Sequence, residues 1–175
     1  PMRTKGYDQR MTTLPKSLAS SLPSRERRCP SLELQDGRWL AAAKSSLYVF
    51  GAQASSGDET PTPEIFPWYD VARARWEAEG ELFALEWVDP ARAPLAGRTA
   101  GDPSDFMRQT SEYVNHSIVM HAQTETDAGT TITAWVRRGP DGLFSVLTAD
   151  GPLGGTGQRA ASALEASVRE AVGLD

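Results

Sequence analysis

The stretch Phe66–Asp89, FPWYDVARARWEAEGELFALEWVD, holds three of the chain's five tryptophans in a run rich in Ala, Arg and Glu, and its periodicity decides the fold. Ala, Arg and Glu favour a helix by propensity. Alternation argues for strands. Ala72, Ala74, Trp76 and Ala78 take the even positions while Arg73, Arg75, Glu77 and Glu79 take the odd ones, a separation that a strand preserves and a helix would scramble. Phe83, Leu85 and Trp87 repeat the pattern, and Gly80, between Glu79 and Glu81, supplies a residue tolerant of the positive φ that a tight hairpin needs. The reading is two antiparallel strands, with Trp76 facing the core and Arg75 facing out. Tertiary context is then expected to override propensity.

The same logic extends outward. Leu32 and Leu34, then Trp39 to Lys44, then Leu47 to Phe50 are short apolar runs divided by Asp36-Gly37 and Ser45-Ser46, a meander of three strands. Residues 51–63 and 89–104 are rich in Pro, Gly and Ser without periodicity and read as surface loops. Ser104 is placed to cap a helix near 105–116. Strands follow at Ile118 to Thr124, Thr131 to Arg137 and Leu143 to Thr148, the last two joined by a turn at 139–142. Ala161, Leu164, Val168 and Ala171 stripe one side of a C-terminal helix over 159–172. The expected class is mainly β (α+β): an antiparallel split barrel of seven to eight strands, with a middle helix and a C-terminal helix capping one end.

A chain of 175 residues with 39% apolar side chains is long enough for one core. Its apolar runs fall well short of the ~20 residues of a membrane span, and no signal-like succession opens it, so a cytoplasmic location is expected. Cys29 is the only cysteine, which excludes an intramolecular disulfide or a cysteine-based metal cluster and reads as an inert thiol near the start of the core.

Charge is unevenly spread. Residues 1–28 carry seven basic and two acidic side chains, giving +5, so the rest of the chain carries −10. The expected organisation is a flexible basic arm over 1–28, of which 1–10 read as a remnant or upstream extension, and a single domain over 29–175. Lys16, Arg25, Arg27 and Arg28 are the arm's candidate polyanion contacts, for nucleic acid or an anionic membrane.

The run DGRWLAAAKSSLYVFG followed by FPWYDVARARWEAE resembles bacterial pleckstrin-homology-like (PH-like) proteins, in particular small actinobacterial ones without an assigned function. The matching positions are Gly37, Arg38, Trp39, Leu40, Leu47, Tyr48, Pro67, Trp68, Ala72 and Trp76, and the terminal helix agrees. The resemblance spans roughly residues 30–172 and implies a PH-like fold of the 29–175 domain without implying an activity. Phosphoinositide-binding members of the wider superfamily carry a Lys/Arg cluster on the first two strands. This chain has Asp36 and Arg38 there, which argues against that kind of headgroup binding.

Chemistry-bearing motifs are sparse. The Gly-rich 151–158 segment lacks the Lys-Ser/Thr that follows the last Gly of a phosphate-binding loop and reads as a connector. His116 and His121 are spaced for neither one helix face nor one strand face. Ser111 and Ser117 sit in no nucleophile elbow. No catalytic residue, metal site or cofactor is therefore expected. Trp68, behind Pro67 and beside Tyr69, is the candidate exposed anchor for a protein partner. The expectation is a non-catalytic protein-interaction module using a sheet edge or the Pro67-Trp68-Tyr69 corner. A basic-arm tether and a small-molecule-binding barrel are the alternatives.

Overall fold

The computed structural model describes residues 12–52 and 61–174, so residues 1–10 of the arm and positions 53–60 of the loop expected over 51–63 lie outside the described residues. The described chain is mainly β with helices, an α+β class built on three antiparallel sheets. It contains ten strands, more than the seven to eight expected. In chain order come α1 (Lys16–Ala19), β1 (Ser31–Glu33), β2 (Trp39–Ala42), β3 (Ser46–Phe50), β4 (Glu64–Pro67), a 3-10 turn over Trp68–Asp70, β5 (Val71–Glu77) and β6 (Leu82–Trp87). Then follow β7 (Leu95–Arg98), α2 (Ser104–Ser117), β8 (Ile118–Glu125), β9 (Thr131–Gly139), β10 (Gly142–Ala149) and α3 (Gly155–Val172).

The sheets order their strands β1-β2-β3-β4, β5-β6-β7 and β10-β9-β8. Two compact units share this chain. The first takes the described residues of Pro1–Phe66 with Trp76–Phe83 and Gly97–Thr110, and the second takes Pro67–Arg75, Ala84–Ala96 and Ser111–Asp175.

In the first unit β2 is buried along its whole length, which requires cover on both of its faces. Pairing of Trp39 with Phe50 and of Ala41 with Tyr48 puts those four side chains on one face. That face is covered by Leu14, Leu18 and Leu22, all buried in one cluster with it. Part of the segment read as a flexible arm over 1–28 is thus buried, at Leu14, Leu18 and Leu22. Leu18 lies in α1 and Leu14 and Leu22 flank it, and burying each is worth about 1.5–3 kcal/mol, enough to order a short segment. Polar ties add to this, since the Glu26 carboxylate accepts hydrogen bonds from the Ser45 backbone N–H and hydroxyl, both 3.0 Å.

The opening hairpin forms as strands, but two details differ. Positive φ falls on Glu81 (50°) rather than on Gly80. Trp76 is 38% exposed although alternation assigns it to the core, because the buried face of β5 stops at its partly buried Ala74. On the opposite, charged face Arg73 Nε donates to Glu86 Oε2 at 2.7 Å. The loop expected over 89–104 contains β7. Its C-terminal end is fixed by Gln35 N–H donating to the Arg98 carbonyl (2.8 Å) and Thr99 N–H donating to the Glu81 carbonyl (2.8 Å).

In the second unit β9 pairs with both β8 and β10. Ala134 and Val136 face Leu164 and Val168 of α3, whose stripe matches the expected one except that Val172 replaces the exposed Ala171. Positions 133, 135 and 137 of β9 point to the other face, where the second unit builds its most unusual site.

Candidate functional site

Arg137 is the largest fully buried side chain among the described residues. An arginine in the middle of a sheet is an unfavourable choice unless its donors are used. Its Nη2 donates to the carbonyl oxygens of Trp68 (2.9 Å) and Val71 (2.6 Å) and to Ser117 Oγ (2.8 Å). Its Nε and Nη1 have no hydrogen-bond partner among the described residues. Burial lowers the guanidinium pKa to about 10, with the attraction of Asp70 acting in the opposite direction.

The two backbone carbonyls that Arg137 holds bracket Tyr69 and Asp70. Those two residues form one wall of a cavity of about 290 Å³, whose other walls are Trp87, Val88, Asp89 and Arg92 on one side and Phe144, Val146 and Thr148 of β10 on the other. Tyr69 meets Phe144 edge to face, with centroids 5.2 Å apart and planes at 86°. The Arg92 guanidinium carbon lies 3.9 Å over the Trp87 ring, and the Trp87 indole N–H donates to the Ala93 carbonyl at 2.9 Å. Partial burial raises the Asp70 carboxyl pKa, with the attraction of Arg92 and Arg137 offsetting only part of that cost.

The corner expected to be a surface anchor is therefore divided. Trp68 is only 5% exposed, its ring 5.4 Å from that of Tyr113, so it is corrected from an exposed anchor to a support beneath the wall. The turn that follows Pro67 directs it inward, where the Tyr113 ring of α2 packs against it. Tyr69 reaches the cavity, and Pro67 is partly buried as the last residue of β4. Sequence reasoning missed Asp70, Arg92, Arg137 and Phe144. Only the odd-position alternation of Trp135 and Arg137 could have put Arg137 on the same side as a large aromatic, and nothing in Arg137-Arg138 marks which arginine is buried.

Elsewhere, Lys16, Arg25, Arg27 and Arg28 are all exposed, but Arg27 Nε donates to the Leu22 carbonyl at 3.2 Å. Arg27 and Arg28 also line a recess of the first unit with Asp102 and Asp105, whose carboxylates oppose polyanion binding there. Cys29 lines the same recess, with its pKa pushed up to about 11 by burial, away from nucleophilic use. The Gly-rich 151–158 segment enters α3, and its glycines share a recess with Glu125 and Asp127, the wrong charges for an anion at a helix N-terminus. His116 is exposed in the last turn of α2, and His121 stacks on Trp135 at 5.0 Å, so the structure does not bring the two histidines into one face. Among the described residues no three His, Cys, Asp or Glu side chains gather as a metal site. Among the same residues no helix is long and apolar enough to cross a membrane. Compared with family models, curated proteins and solved structures, the chain matches none.

Proposed function

We propose that the chain is a non-catalytic interaction module of PH-like architecture, from a bacterial cytoplasm, that docks a protein partner on its first unit. The observation that carries this reading is the exposure of Trp76 and Leu82, 38% and 40%, at the turn end of the β5–β6 hairpin. Buried tryptophans are ordinary core, whereas a tryptophan held at a strand end in water is the residue type most enriched among interface anchors. The anchor thus moves from Trp68 to Trp76. In the same unit β4 ends the order β1-β2-β3-β4 with Ile65 54% exposed, which leaves a strand edge open to an added extended segment. Support for the PH-like architecture comes from the antiparallel meanders and from the terminal helix packed on the last three strands.

The tether reading is the weaker one, because two of its four cations sit beside carboxylates. The test is a photo-crosslinking residue at position 76 or 82 in the native cell, with the same residue at the exposed, charged Arg138 as control. Recovery of one protein from positions 76 and 82 but not 138, with the yield at 82 lost on Ile65→Glu or Trp76→Glu, supports the reading. Identical yields at all three positions would overturn it.

A further inference from the structure

We propose that the cavity between the Trp68–Asp70 turn and β10 is a binding site for a small organic ammonium ion, an apolar or aromatic body carrying a protonated amine. This goes beyond the docking of a protein on the first unit and is independent of it, because every residue invoked belongs to the second unit.

The walls are suited to an apolar body. Tyr69 and Phe144 stand perpendicular to one another, so one offers a ring edge where the other offers a face, and Val146 continues the surface along β10. At about 290 Å³ the space is near the lower end of small-molecule pockets, too small for a folded segment of chain.

The polar rim asks for a donor. Among the described residues no hydrogen bond to the Asp70 carboxyl is seen, and burial penalises its charge. A cationic N–H group would satisfy both needs through a charge-assisted bond. Asp89 uses Oδ1 to accept the Ala91 N–H, which leaves a second acceptor on the rim. Of the two cations near Asp70, Arg92 lines the cavity over the Trp87 ring and offsets only part of the burial of the Asp70 charge, and Arg137 is buried and does not line the cavity. Arg92 over Trp87 shows that one aromatic ring of the lining holds a cation on its face.

Arg137 explains why the wall is rigid. Folding a guanidinium into a sheet with two of its nitrogens unpartnered is costly, and what it secures is the pair of carbonyls on either side of Tyr69 and Asp70. Local rules broken in this way cluster where function needs a fixed geometry.

The test titrates the full chain at pH 7 with three matched probes, 2-phenylethylammonium, 2-phenylethanol and 3-phenylpropanoate, following the Trp87 indole N–H by NMR. The ammonium should bind about tenfold tighter than the alcohol, with the carboxylate weakest, a ratio worth about 1.4 kcal/mol. Asp70→Asn should erase the difference between ammonium and alcohol. The three-probe comparison uses the unaltered chain, so it decides even if that variant does not fold. Tightest binding of the carboxylate, equal binding of all three, or no shift of the Trp87 signal with any probe would each overturn the proposal.

Discussion

Arg137 Nη2 donates to the backbone carbonyl of Trp68 at 2.9 Å, so a buried cation on β9 fixes the turn that precedes β5. Nothing else among the described side chains bonds to the carbonyls of both Trp68 and Val71.

Replacing it tests whether those bonds outweigh the burial of charge. Arg137→Met keeps length and removes the charge, but takes their guanidinium donor from the Val71 carbonyl and the Ser117 hydroxyl, an unsatisfied buried group being worth about 1–3 kcal/mol, while the Trp68 carbonyl keeps the Val71 backbone N–H. A net loss of about 1–3 kcal/mol in urea denaturation is expected. A variant as stable as the parent would show that the penalty on the guanidinium equals everything it contributes.

Leu18 is fully buried beneath Trp39 and Phe50's face of the first sheet. Leu18→Ala should cost about 2–5 kcal/mol. Deleting residues 1–28 should lower the thermal midpoint by at least about 5 °C, given roughly 2–4 °C per kcal/mol in a chain of this size. An unchanged midpoint would mean that the segment packs without contributing.

Trp76 and Phe83 stand at the same hairpin yet differ in burial, 38% against 0% exposed. Phe83→Ala should cost about 3–5 kcal/mol and Trp76→Ala less than about half of that. Comparable losses would place Trp76 in the core after all.

Cys29 should resist alkylation. Burial raises its pKa from 9.0 to about 11, which leaves about a hundredfold less thiolate near pH 8. Iodoacetamide modification followed by mass spectrometry should therefore be at least that much slower in the native chain than in urea. Equal rates would show that partial burial does not protect the Cys29 thiol.

Glu86 provides the pH dependence. The hydrogen bond from Arg73 holds its carboxyl below the usual range, so the pair stabilises the fold above the unfolded-state pKa and loses that contribution as pH falls through the lowered folded value. Both side chains are partly exposed, 64% and 27%, so Glu86→Gln should cost under about 1 kcal/mol at pH 7. The gap between parent and variant should close on acidification. A gap that widened would reverse the sign of the linkage.

The sequence by itself determined most of the elements, though not α1, β4 or β7. Alternation over 70–87 placed β5 and β6 against the propensity of Ala, Arg and Glu, and the stripe through Ala161, Leu164 and Val168 placed α3, because each pattern separates apolar from charged side chains on one geometry only. Tertiary structure decided which of those faces are covered. Alternation marks Trp76 as apolar-facing but cannot say where the cover over β5 ends, and Trp68 reads as exposed only if nothing lies over it. The leucines at 14, 18 and 22 look like a sparse tail until β2 presents Trp39 and Ala41 to them. Arg137 is indistinguishable from Arg138 in sequence. Its burial depends on two carbonyls more than sixty residues away, and a hydrogen bond of that span leaves no local pattern, since the partner is a backbone atom that every residue carries.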